Sequence, residues 1–104
     1  MITAIVNFQL PTPLTREAAR ALFLQSAPKY QALDDLLRKY YLLSADGRTA
    51  GGVYLWHSRA AAEAFYDTAW RDFIRSKYGC DPVVEYFETP VVIDNQSGEI
   101  LRDG

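Results

Sequence analysis

The stretch Ala50–Tyr66 reads AGGVYLWHSRAAAEAFY and is predicted to join a strand to a helix. In its strand, Val53 and Leu55 point to one face, Tyr54 and Trp56 point to the other, and all four are apolar or aromatic. A strand with one face in water would instead alternate with polar residues. We therefore expect this strand to lie inside a sheet that is covered on both faces.

The residues before this strand predict its partner. Asp46-Gly47 is a typical signal for a tight hairpin. A strand over Ala50–His57 would then run antiparallel to a strand over Leu36–Leu43, which is apolar on both of its faces.

The residues after the strand predict one long helix. Ser58 is suited to cap it, and Gly79 is suited to end it just after Tyr78. Opposite charges four residues apart, Arg59–Glu63 and Asp67–Arg71, are expected on its exposed side. The stripe that would face the sheet comprises Ala62, Phe65, Tyr66, Ala69, Trp70 and Phe73.

The N-terminal part predicts another strand and helix. Apolar residues alternate over Ile2–Leu10, which is typical of a strand. Thr15 can cap the helix that follows, Pro28 is expected to kink or restart it, and Asp34-Asp35 is expected to end it. The inner stripe of this helix comprises Ala19, Leu22, Phe23, Ser26 and Tyr30.

The complete pattern predicts a ferredoxin-like α+β fold. Val83–Thr89 forms a fourth strand, and residues 91–104 form a C-terminal extension with one further extended piece. The order βαββαβ then describes one domain over residues 1–104, with both helices on one face of a four-stranded antiparallel sheet. Because the other face is also apolar, we expect a second copy to cover it and to form a homodimer with the sheets face to face.

Composition excludes several classes of function. The 104 residues carry a net charge of -2, and their basic side chains are scattered among acids as on a solvated mixed surface, which argues against nucleic acid as a partner. These basic residues include Lys29, Arg38, Lys39, Arg48 and Arg59. With one cysteine, Cys80, and one histidine, we expect no internal disulfide and no metal site. The N-terminus resembles neither a signal peptide nor a membrane span, so we expect a cytoplasmic protein.

The segment Leu36–Tyr66 resembles the YdhR-like monooxygenase family of the dimeric α/β-barrel superfamily. Shared features are Lys39 before an aromatic pair, the hairpin that leads into GGVYLW, and a helix that opens with small residues and Ala-Phe-Tyr. Asp35 departs from the family, which usually has glycine there. The resemblance implies a dimeric α/β barrel with a pocket between sheet and helices in each protomer. Some relatives oxidise phenolic rings without metal or flavin, while others degrade haem or isomerise lactones.

Cofactor-free oxygenation of a small aromatic or apolar molecule requires a dry aromatic slot, a proton acceptor and donors for an oxyanion. His57 is a candidate acceptor because of its pKa, Asn7 is an amide within a strand, and the Trp70 indole N–H needs a partner. Strict alternation puts His57 on the face of Val53 and Leu55. Residues expected to bind substrate are Tyr41, Tyr54, Trp56, Tyr66, Phe73 and Tyr86.

Other interpretations fit the same residues. The aromatic side chains also suit simple core or dimer-interface packing, and His57 suits a solvated position beside a helix cap. The chain could then be a non-catalytic small-molecule-binding or stress-associated dimer, or an isomerase or lyase that uses proton transfer alone. Gly51-Gly52 lacks the pattern of a phosphate-binding loop and is expected to be a close-packed start of the strand.

Overall fold

The computed structural model describes residues 1–103, which form strands and helices in the predicted order. The elements are β1 Ile2–Gln9, α1 Arg16–Gln31, β2 Leu36–Leu43, β3 Thr49–Trp56, α2 Arg59–Phe65, α3 Thr68–Tyr78, β4 Val83–Glu88, β5 Val91–Asp94 and β6 Glu99–Arg102. The first four strands form one sheet in the order β2-β3-β1-β4, and every neighbouring pair is antiparallel. This confirms the predicted ferredoxin-like α+β fold.

The hairpin between β2 and β3 forms at the predicted Asp-Gly turn. Gly47 adopts φ 72°, and a Cβ there would lie 2.2 Å from the Leu14 carbonyl oxygen, so only glycine fits. The Asp46 carboxylate accepts hydrogen bonds from the Ser44 hydroxyl and the Arg48 backbone N–H. This turn sets the register of the two strands.

The two faces of the sheet differ as the alternation predicts. Tyr54 and Trp56 lie beneath the helices and are buried, while Val53 and Leu55 lie on the opposite, outer face. The helix-side core comprises Ile2, Ala4, Val6, Phe8, Tyr30, Ala50, Tyr54, Trp56, Ala62, Tyr66, Trp70 and Ile74. The outer face carries exposed apolar side chains from the two edge strands, Tyr40, Leu42, Val83 and Phe87.

The predicted C-terminal end of α1 is wrong, since the helix ends at Gln31 rather than at Asp34-Asp35. The helix also does not restart at Pro28 but passes through it as one element. Because Pro28 has no backbone N–H, the Leu24 carbonyl loses its hydrogen bond within the helix. Both residues are exposed, so water can donate to that carbonyl instead. On the opposite side, Tyr30 is buried against the sheet and helps to hold this last turn.

The single long helix predicted after Ser58 is instead two helices. The backbone of Tyr66 leaves the helical region, and the Asp67 carboxylate caps α3 by accepting from the Trp70 backbone N–H at 2.8 Å. Because Asp67 has this role, Arg71 donates to the Tyr66 carbonyl rather than pairing with Asp67. The predicted Arg59–Glu63 pair is present at 2.8 Å. Ala69 is exposed and not part of the inner stripe.

The C-terminal extension is a β5–β6 hairpin rather than one extended piece. It is attached beside the outer face by ion pairs between Arg38 and Asp94 and between the N-terminal ammonium group and Asp103. The Arg38 guanidinium lowers the pKa of Asp94 to about 2. No helix within residues 1–103 has the length and apolar character needed to cross a membrane.

Candidate active site

The amine of Lys39 lies inside the layer between sheet and helices. Its Nζ atom is 3.4 Å from the ring centroid of Tyr41, 4.2 Å from that of Tyr54 and 4.3 Å from that of Tyr30. The first two rings belong to β2 and β3, and the third belongs to α1. We call these four residues the lysine cluster.

The strand register places Lys39 there. Lys39 is opposite Tyr54, and Tyr41 is opposite Gly52, so all of these positions share the helix-side face. Gly52 leaves the space that the amine occupies, because a Cβ there would lie 3.3 Å from Nζ and 3.1 Å from Cε1 of Tyr54. The Tyr30 ring is held from the helix side, where its hydroxyl accepts a hydrogen bond from the Trp70 indole N–H at 3.0 Å.

Burial dominates the electrostatics of the lysine cluster. Desolvation, and then the charge of Lys77, lower the pKa of Lys39 to about 7. The three tyrosine ring faces favour the ammonium form and act in the opposite direction. Burial also raises the pKa of Tyr41 and Tyr54, so these phenols stay neutral. Of Lys39, Tyr41 and Tyr54, Lys39 is therefore the residue that can exchange a proton near neutral pH.

The cavity beside the amine is nearly closed. Its volume is about 10 Å³, which is close to the space that a single water molecule needs. It is lined by Phe8, Phe23, Ser26, Tyr30, Lys39, Tyr41, Gly51, Tyr54, Phe73, Ile74 and Tyr78. The cavity is too small for a substrate, so a substrate must approach the amine from outside it.

Two grooves between α1 and β2 lead towards the cavity. A groove of about 280 Å³ reaches Lys39 directly, and a larger one of about 790 Å³ extends towards the β2–β3 turn. Tyr41 lines both grooves and the closed cavity. Its hydroxyl lies 2.8 Å from the Ser26 hydroxyl, and its ring stacks on Phe23 with centroids 4.7 Å apart. Tyr41 thus forms the wall between the larger groove and the amine.

Several predicted site residues meet at or near the lysine cluster. Tyr41 and Tyr54 contact the amine, Phe73 lines the closed cavity, and Trp70 orients Tyr30. The Trp70 indole N–H therefore has the hydrogen-bond partner that we expect it to need, and that partner is Tyr30 of the core.

The remaining predicted aromatic residues lie elsewhere on the helix side and do not line the closed cavity. The Trp56 indole N–H donates to the Tyr66 hydroxyl at 3.0 Å, so each satisfies the other. The Tyr86 ring lies 6.1 Å from that of Tyr66 and is stacked by the Arg59 guanidinium at 5.1 Å. Their contacts are those of core packing.

His57 and Asn7 lie apart from the lysine cluster. The His57 side chain is exposed at the end of β3, and its backbone N–H donates to the Asp35 carbonyl. Asn7 faces outward, in register with Gly51 and Val83. Neither residue lines the closed cavity or the two grooves. Their catalytic roles remain predictions that no contact of the helix-side site supports.

The prediction that Lys39 is one of the solvated basic residues is wrong, because its amine lies between sheet and helices. The turn at Asp46-Gly47 contains the signal that could have found it, since counting back from that turn pairs Lys39 with Tyr54. Tyr30 was expected only as part of a helix stripe. Among residues 1–103 there is no group of three or more His, Cys, Asp and Glu side chains that could hold a metal ion.

Several known structures of similar shape are oxygenases. ActVA-Orf6, a monooxygenase from Streptomyces coelicolor solved with nanaomycin D, has a TM-score of 0.62 and 15% identity over 85% of this chain and 86% of that one. SnoaB, a cofactor-independent oxygenase from Streptomyces nogalater, has a TM-score of 0.61 and 12% identity over 85% and 91%. The chain shares their fold. A candidate antibiotic biosynthesis monooxygenase from Deinococcus radiodurans has a TM-score of 0.65 and 14% identity over 90% and 97%.

At these identities the likeness demonstrates the fold alone. No protein-family model matches the sequence, and no curated protein matches it either. The neighbours support the coarser prediction of a monooxygenase-like fold and do not confirm the YdhR-like family.

Proposed function

We propose that the protein is a cofactor-independent, monooxygenase-like enzyme that oxidises a small phenolic or quinol substrate beside Lys39. The observation that carries this proposal is the amine with a pKa of about 7, enclosed by the rings of Tyr30, Tyr41 and Tyr54. A group that gains and loses a proton near neutral pH is the main requirement of this chemistry. The oxygenases of the same fold add support, and the proposal includes membership of the YdhR-like family and a cytoplasmic location.

The reaction begins with proton transfer. The neutral Lys39 amine accepts the phenolic proton, and the resulting ammonium group stabilises the phenolate. The electron-rich ring then reacts with dioxygen at a carbon that bears hydrogen. One oxygen atom becomes a ring carbonyl, and the other leaves as water with the two hydrogens that the substrate loses. The substrate supplies all of the electrons, so no other reductant enters the balance.

The groove of about 280 Å³ provides the binding position. Lys39, Tyr30 and Tyr41 line this groove. Ala27 and Leu36 form an apolar part of its wall. Its volume is at the lower end of the range for small-molecule sites, which favours a substrate of one or two rings. Lys39 also lines the closed cavity, whose volume of about 10 Å³ leaves room for about one water molecule beside it.

The proposal includes a homodimer formed through the outer sheet face. Tyr40 is 53% exposed and Phe87 47%, although both belong to strands of the central sheet. Exposed Val91 and Ile93 of the β5–β6 hairpin add apolar surface. A second copy covers this surface with its own sheet, as the two-fold symmetry of most homodimers allows. A monomer in sedimentation equilibrium at micromolar concentration would contradict this part.

Oxygen consumption tests the proposed activity. Wild-type protein is mixed with a panel of hydroquinones and phenols in an oxygen electrode, and products are examined by mass spectrometry after incubation with isotopically heavy dioxygen. We expect enzyme-dependent uptake with one heavy atom in the quinone product, and its loss in Lys39→Met. Uptake that is equal in wild type and Lys39→Met, or silence across the panel, would overturn the proposal.

A non-catalytic binding protein is the second candidate, because the cavity beside the amine holds only about 10 Å³. In that case the panel compounds bind in the α1–β2 grooves, with shifts in melting temperature but no oxygen uptake. An isomerase or lyase would use the same amine for proton transfer alone. Deuterium exchange from solvent into a bound substrate without oxygen uptake identifies that outcome.

A further inference from the structure

The surroundings of Lys39 point to a second type of reactivity. We propose that its amine is a nucleophile that forms an imine with aldehydes or ketones that have an apolar or aromatic body. This inference does not depend on the proposed oxygenase, because it requires only the amine, its enclosure and an approach path.

The Lys39 amine has no counter-ion within residues 1–103. None of the ion pairs among residues 1–103 includes Lys39. Neither a carboxylate nor a hydrogen-bond acceptor is among the groups that shift its pKa. An ammonium group without these partners and largely out of water is disfavoured relative to the neutral amine. Lysines desolvated in apolar pockets, or beside another cation, are those that enzymes use as nucleophiles.

The polar groups around the Lys39 amine are already hydrogen-bonded to one another. The Trp70 N–H bonds the Tyr30 hydroxyl, and the Tyr41 and Ser26 hydroxyls are 2.8 Å apart. These pairs fix the rings that surround the amine. Lys39 is therefore held in place by ring faces, which do not occupy the nitrogen lone pair of the neutral form.

The approach path defines the class of ligand. The groove of about 280 Å³ ends at Lys39, and its walls include Ala27, Leu36 and the ring of Tyr41. Such a wall suits a compact aromatic or aliphatic carbonyl compound. Arg38 also lines this groove but pairs with Asp94, so its charge is already balanced.

The chemistry balances without a redox partner. The nitrogen lone pair attacks the carbonyl carbon and forms a C–N bond, while the carbonyl oxygen takes up a proton. The resulting carbinolamine loses its hydroxyl group as water, with both of the hydrogens originally on nitrogen leaving in that water. The product is an imine, and hydrolysis returns the free amine.

The other lysines provide internal comparisons. The Lys77 amine donates to the Leu22 carbonyl at 3.0 Å, which engages it in a fixed contact. Lys29 is exposed and lies over Phe73, with its Nζ atom 4.6 Å from the ring centroid. Neither lines the groove that reaches Lys39. The N-terminal amine is paired with Asp103.

Reductive trapping tests the inference. The full chain is incubated with benzaldehyde at neutral pH, borohydride supplies hydride to convert any imine to a stable benzylamine, and the modified residue is located by peptide mass spectrometry. We expect Lys39 to be labelled roughly tenfold faster than the exposed Lys29, because surface amines are almost fully protonated at this pH. Labelling confined to the N-terminus, Lys29 and Lys77 would overturn the inference.

Two variants complete the test. Lys39→Met should abolish the fast label, whereas Lys29→Met, which removes an exposed amine, should leave it, and circular dichroism shows whether each variant is folded. Because the site is mapped in the wild-type protein, the result does not depend on the Lys39 variant folding. Fast labelling of Lys39 without oxygen uptake would support the imine and contradict the oxygenase, and oxygen uptake without labelling would do the reverse.

Discussion

The Lys39 amine lies 3.4 Å from the centre of the Tyr41 ring, closer than it lies to Tyr30 or Tyr54. Attraction between a cation and a ring face stabilises the ammonium form by roughly 0.5–2 kcal/mol per contact. Desolvation acts in the opposite direction and, with the charge of Lys77, lowers the pKa of Lys39 to about 7. The same contact that positions the amine therefore leaves it able to release its proton.

The pH dependence of stability should reveal this balance. The lowered pKa of Lys39 means that the unfolded chain binds more protons between about pH 7 and pH 10.5, so wild-type stability rises with pH across that window. Lys39→Met removes the cost of burying the charge. We expect the variant to be more stable than wild type by roughly 2 kcal/mol at about pH 6, and this difference to shrink by about pH 9.

Urea unfolding at both pH values measures this difference. Lys29→Met is the matched control, because it removes an exposed amine and should show no comparable dependence on pH. A Lys39→Met variant that is less stable than wild type by the same amount at both pH values would contradict the assignment.

Turnover should depend on Lys39 and not on the two candidates outside the lysine cluster. We expect Lys39→Met to lower kcat of any detected oxygenation by roughly 100-fold or more, the usual contribution of a general base. His57→Ala and Asn7→Ala should leave kcat within about twofold, because both side chains lie away from the closed cavity. A large loss of kcat in His57→Ala with normal folding would restore histidine as the proton acceptor.

The Tyr41–Ser26 contact should contribute to the wall beside the amine. Tyr41→Phe removes the hydroxyl that lies 2.8 Å from the Ser26 hydroxyl and keeps the ring, and it should cost about 1 kcal/mol of stability. In a double-mutant cycle with Ser26→Ala, the two losses should be less than additive. Tyr41→Ala should in addition join the larger groove to the cavity and strengthen binding of bulkier phenols, as measured by calorimetry.

Gly52 should not tolerate a side chain. A Cβ atom there would lie 2.9 Å from the Tyr40 carbonyl oxygen, 3.1 Å from the Tyr54 ring and 3.3 Å from the Lys39 amine. We expect Gly52→Ala to lower the free energy of unfolding by roughly 1–3 kcal/mol and to slow the trapping of Lys39. Stability within about 0.5 kcal/mol of wild type would show that the strands shift to accept the methyl group.

Charge on the outer face should dissociate the proposed dimer. Phe87→Glu places a carboxylate on the apolar outer face that the proposed dimer buries, so sedimentation equilibrium should show a monomer. Ala64→Glu adds the same charge to an exposed position of α2 and should remain dimeric. Dissociation by both variants, or by neither, would argue against a sheet-to-sheet interface.

The local features of the sequence predicted most of the fold. Alternation over β1, the Asp-Gly turn and the cap residues Thr15 and Ser58 all act within a few residues, and all appear in the structure. The errors arise where tertiary packing or a competing local bond prevails. Pro28 stays within α1 because Tyr30 packs on the sheet, and Asp67 caps a new helix instead of pairing with Arg71.

The sequence by itself determined the ferredoxin-like order of elements, because the spacing of apolar residues and the cap and turn residues act locally. It also determined the division of β3 into two apolar faces, because side chains alternate along a strand. It did not determine that Lys39 is half-buried, with its amine among three tyrosine rings. That required the hairpin register to set Lys39 opposite Tyr54, the absence of a side chain at Gly52, and α1 to bring Tyr30 over the amine. The pKa of a lysine depends on what surrounds it in three dimensions, so only the tertiary structure made this residue the centre of the site.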